Sequence, residues 1–142
     1  MSYKDTFVQV ALDCPATRGV VPVGKGERPP IHVIQYELLS KNPYRFTDDD
    51  LLYEVHVRHK EISLEERQTR AQEIRDELLA KPNPCMRASL LPKKYGWGVH
   101  YDGKGRIALY PSESAAYERF TQAGSGVTLV YALRSKSKTK RS

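Results

Sequence analysis

The order of apolar and polar positions divides the chain into short segments of two different periods. Over residues 6–12, Phe7, Val8 and Val10 stand among polar neighbours as in a half-buried strand, closed by Asp13-Cys14-Pro15. Residues 13–30 are rich in proline and glycine and read as a long loop, which in a small domain is either mobile or functional. Pro30 suits the first position of a helix, where its missing N–H is unpaired in any case. Ile31, Ile34 and Leu38 then share a helical face, and Asn42-Pro43 ends the segment.

Thr47 followed three residues later by Asp50 is close to a capping box, and Leu51, Leu52 and Val55 continue on one helical face. Leu51, Tyr53, Val55 and Val57 also alternate, so residues 48–60 admit helix or strand, with the cap chemistry favouring helix. Ser63 and Glu66 form a second capping box, opening a helix to about Ala80 that Pro82 and Pro84 stop. Its apolar face is thin, so most of it meets water. From Cys85 the period shifts towards two. Residues 86–91 read as a strand, and 98–101 with 106–110 as a hairpin. Ser112 or Ser114 caps a helix carrying Tyr117 and Phe120, Gly124-Ser125-Gly126 breaks it, and residues 127–133 form a last strand. Strands and helices segregate rather than alternate. The expected fold is therefore α+β, a small, mostly antiparallel sheet with helices packed on it, as a single domain over residues 1–133.

The register of the hairpin follows from its loop. Gly103, Lys104 and Gly105 place glycine where a three-residue loop wants a left-handed residue. Tyr101 then faces Ile107 and Val99 faces Leu109, with Trp97 on the same apolar side. A shift by one residue would mix the two faces. The opposite face carries Gly96, Gly98, His100, Ala108 and Tyr110. Glycine inside a strand marks a bulge or a close approach by backbone or ligand. One reading is a shallow binding pocket formed by Gly96, Gly98, His100 and Tyr110, with Arg87 as a further polar contact. The plainer reading is a helix lying close on the small residues, with His100 hydrogen-bonded at its edge.

As chemistry, His100 is the candidate acid/base, with Cys85 or Tyr110 assisting. A guanidinium such as Arg87 near Cys85 would lower the thiol pKa. His56 and His59 share a face if their segment is helical, but no His-Glu-x-x-His or Cys-x-x-Cys spacing accompanies them. No metal and no cofactor is assigned.

Composition narrows the function classes. The 142 residues are 39% hydrophobic before nine glycines are counted, close to globular usage. The formal net charge is +6, yet Arg134, Lys136, Lys138, Lys140 and Arg141 sit in residues 134–142 without an acid among them. With those five removed, +6 falls to +1. Nucleic acid would thus be met only weakly, through a solvated, disordered tail. Two cysteines suit a reducing cytoplasm, and neither a secretory leader nor a membrane-spanning run is expected. The expected role is a small-ligand or protein-partner binding module on the glycine face, with a small enzyme as the alternative. The same face would also serve a homodimer.

Several runs carry a family likeness: Asp13-Cys14-Pro15, Gln35-Tyr36-Glu37-Leu38-Leu39, Cys85-Met86-Arg87-Ala88-Ser89, Ala108-Leu109-Tyr110 and, most specific, Tyr95-Gly96-Trp97-Gly98-Val99-His100. In these the chain resembles an uncharacterised family of short bacterial and fungal proteins, a domain of unknown function. That resemblance covers most of residues 1–134 and implies kinship without an activity. Leu109-Tyr110-Pro111 before a helix is fainter, similar to small α+β domains linked to metal handling or DNA binding.

Overall fold

The computed structural model describes residues 3–24, 28–83 and 85–135. Strands β1 (Thr6–Gln9), β2 (Trp97–Tyr101), β3 (Ile107–Pro111) and β4 (Thr128–Tyr131) form one sheet in the order β3-β2-β1-β4. β1 is antiparallel to β2 and parallel to β4, and β2 with β3 is the antiparallel hairpin. Helices α1 (Ile31–Lys41), α2 (Asp48–His59), α3 (Leu64–Leu79), α4 (Leu90–Lys94) and α5 (Ala115–Thr121) complete an α+β domain with its helices packed on the sheet.

The hairpin takes the expected register, with Tyr101 opposite Ile107 and Val99 opposite Leu109. Gly105 sits at φ +80° in its loop, and Asp102 Oδ1 accepts from the backbone N–H groups of Lys104 and Arg106. Val99, Tyr101 and Ile107 are fully buried in a core completed by Ile34 and Leu38 of α1, Leu51 and Val55 of α2, and Leu91 of α4. On the other side of the sheet, Phe7 meets Tyr117 and Phe120 of α5.

Residues 48–59 resolve as helix because the cap is complete. Thr47 Oγ1 accepts from Asp50 N–H and the Asp50 carboxylate accepts from Thr47 N–H, both at 3.2 Å. Ser63 caps α3 by accepting from Glu66 N–H, and Ile74 is the one buried residue of that helix.

Three expectations need correction. Residues 86–91 are not a strand: Met86–Ala88 is one 3-10 turn, and the Ser89 hydroxyl then caps α4 by accepting from Leu91 N–H. Local capping by Ser89 and the helix-compatible Pro92 outweigh a weak alternation. The α1 face of Ile31, Ile34 and Leu38 is as expected, with Ile31 at its margin, 47% exposed. The first strand ends at Gln9 rather than near Leu12. The last strand covers Thr128–Tyr131 rather than 127–133 and lies at the sheet edge, with Leu129 and Tyr131 exposed. Arg87 covers its end, donating from Nε to Tyr131 O at 2.8 Å while its own carbonyl accepts from Leu133 N–H. Among the described residues no helix is long and apolar enough to cross a membrane. The basic tail beyond Ser135 and the Lys25-Gly26-Glu27 stretch lie outside the described residues.

Candidate functional site

Two regions contain the chemistry, one on each side of the sheet. On the α5 side, His100 and Tyr110 are brought together by a residue that the sequence reading passed over. Tyr44 Oη lies 2.7 Å from His100 Nδ1 and 2.7 Å from Tyr110 Oη. Tyr44 is held there at φ +60°, with its N–H bonded to Ile107 O. Phe120 stacks on the imidazole at 4.3 Å between centroids and meets Tyr110 edge-on. Burial pulls the His100 pKa below its ordinary value, with Asp102 and Asp5 opposing, so the imidazole is neutral near pH 7. Burial and the Tyr110 hydroxyl push the Tyr44 phenol far up.

The space above the glycines is filled by the protein itself. A Cβ on Gly98 would lie 2.5 Å from Phe7 Cζ and 2.6 Å from Tyr117 Cε2. Gly96, at φ +79°, faces the Arg18 carbonyl oxygen, which would stand 2.1 Å from a Cβ. Arg87 stays apart from this group at the far β4 edge, bonded to Tyr131.

On the other side, a cavity of about 370 Å³ runs along one stripe of α2, bearing Asp48, Leu52, Val55, His56 and His59. Ile31 and Gln35 of α1, Leu78 of α3, and Cys85 with Met86 close it, and most of its wall is apolar. Cys85 also lines the two neighbouring hollows, and its thiol is free.

Asp48 is the unusual group in this wall. Tyr101 Oη donates to Asp48 Oδ1 at 2.9 Å and accepts from Met86 N–H at 3.3 Å. Asp48 Oδ2 is out of reach of solvent and has no partner among the described residues. Burial raises the carboxyl to about 6, against the Tyr101 hydrogen bond and with the help of Asp49. A carboxylate oxygen buried without a donor is costly, and such groups concentrate at functional sites. At the other end of α2, burial lowers the His56 pKa, reinforced by Lys60, His59 and Lys81 and opposed by Glu77. Among the described residues, no three His, Cys, Asp or Glu side chains are grouped to hold a metal ion.

The sequence placed Cys85 among its candidates but missed Asp48, which reads there as one more acid in a helix first turn. Its signal was indirect. Tyr101 was assigned to the apolar core face, and a buried phenol requires a hydrogen-bond partner.

Residues 1–138 match the model of a family of unknown function, DUF6157, and the chain belongs to that family. This bears out the resemblance to an uncharacterised family. No curated protein and no solved structure matches the chain.

Proposed function

We propose that this family member is a small-ligand-binding domain whose site is the cleft along α2. The observation that carries the reading is Asp48: a half-satisfied carboxyl set in the wall of a mostly apolar cavity large enough for a small organic molecule. The binding role expected from the sequence is kept, but its location moves. The glycine face offers no room above Gly98, whereas the α2 cleft is open. A reducing cytoplasmic setting belongs to the same proposal, supported by two free thiols at Cys14 and Cys85.

A fragment screen followed by amide chemical shifts tests the site. Shifts concentrated at Leu52, Val55 and Met86 support the cleft. Shifts clustering instead at Tyr110, Arg119 and Ser125, which line an open hollow beside α5, overturn it.

A second reading is an enzyme with His100 as acid/base, and the Tyr44 hydroxyl bridging His100 and Tyr110 favours it. It requires a turnover whose pH profile changes in Tyr44→Phe. Unchanged turnover in that variant defeats it.

A further inference from the structure

The two ends of the cleft differ in what they can offer a ligand. Among the described residues Asp48 is the single acid in its wall; its Oδ1 already accepts from Tyr101 and its Oδ2 is shielded from solvent. An ammonium group entering at that end would find Oδ2 out of reach and would share Oδ1 with the Tyr101 hydroxyl. The opposite end carries His56, His59 and Lys60 on the last turns of α2. Lys81 adds a further cation close to His56. Glu77 opposes that charge at His56, and it lies 3.9 Å from the Arg70 guanidinium. Glu54, also on α2, is paired with Arg58. Lys60 and Lys81 therefore make this end cationic, and the imidazoles of His56 and His59 add hydrogen-bonding groups. Between the ends the wall is formed by Leu51, Leu52, Val55, Ile31, Leu78 and Met86.

We infer that the cleft takes an anionic amphipath, a straight-chain monocarboxylate of medium length, with its carboxylate at His59 and Lys60 and its chain along Leu52 and Val55 towards Asp48. The inference rests on the cleft being the ligand site. An apolar chain end is accepted beside Asp48 most readily when that carboxyl is protonated, because further desolvation favours the neutral acid. The carboxylate gains charge-assisted hydrogen bonds at the basic end.

Calorimetric titration of the full chain with hexanoate, octanoate and decanoate, below micellar concentrations, tests this beside octylamine. Affinity should rise about fourfold per added methylene. Octanoate should bind more tightly than octylamine, and Lys60→Glu, at an exposed position, should weaken octanoate several-fold. Octylamine binding as tightly as octanoate, or carboxylates binding without chain-length dependence, overturns the inference. Leu52→Trp, which fills the cleft, separates the two levels. If it abolishes amine binding, the cleft stands and only the ligand class is wrong. If octanoate binds Leu52→Trp as well as the native chain, the carboxylate site is not this cleft.

Discussion

Tyr101 Oη donates to Asp48 Oδ1 at 2.9 Å, joining a central strand of the sheet to the first turn of α2. The same oxygen accepts from Met86 N–H, so one phenol fixes the two walls that meet at Cys85. Tyr101→Phe removes the donor and the acceptor together, and leaves the Met86 N–H and Asp48 Oδ1 without that partner beside a fully buried ring. The expected loss is about 1–3 kcal/mol in urea denaturation. Cys85 should also react faster with a thiol reagent, because the 85–86 segment loses its anchor.

Asp48 gives the stability a distinctive pH dependence. Its carboxyl titrates at about 6 in the fold, against roughly 3.9 in an unfolded chain. The folded state therefore holds this proton more tightly. The associated stability is present below pH 4 and is lost as pH rises through 6, amounting to about 2–3 kcal/mol. Asp50, Asp102 and Glu113 are shifted downward and act in the opposite sense, so the difference between two chains is the useful quantity. Asp48→Asn keeps an acceptor for Tyr101 and removes the titration. Its stability relative to the native chain should improve between pH 4.5 and 7.5. A constant difference over that range contradicts the buried carboxyl.

The hairpin was legible in the sequence because its two faces differ in kind: one register alone puts Val99, Tyr101, Ile107 and Leu109 together, and the fold adopts it. Capping chemistry was equally legible, at Thr47 and Ser63. What could not be read were the tertiary partners. Nothing local to Tyr44 announces a hydroxyl that reaches residues 56 and 66 positions away. Nothing near Gly98 tells a ligand from the rings of Phe7 and Tyr117. The α2 cleft escaped for the same reason, since its walls come from separate helices and from the turn misread as a strand.

Close packing on the α5 side makes Gly98→Ala destabilising by about 1–3 kcal/mol, because ring atoms of two residues must give way. Near-ultraviolet circular dichroism should change with it, through the Phe7, Tyr117 and Phe120 cluster. An unperturbed spectrum and melting curve would mean that α5 does not lie on this face.

Tyr44→Phe withdraws the hydroxyl shared by His100 and Tyr110 and should cost about 1–3 kcal/mol. His100→Ala should cost a similar amount through its lost stacking on Phe120. Both variants should retain octanoate binding, since neither residue lines the α2 cleft. Loss of that binding at unchanged stability would instead place the ligand on the strand face.

The central claim is that the α2 cleft is a ligand site, and native mass spectrometry tests it most directly. The full chain and Leu52→Trp would be purified gently from the protein's own host and compared. The native chain should carry a small added mass that vanishes on denaturation, and the Leu52→Trp chain should be bare. A bare native chain, or an adduct that survives undiminished in Leu52→Trp, would contradict the claim.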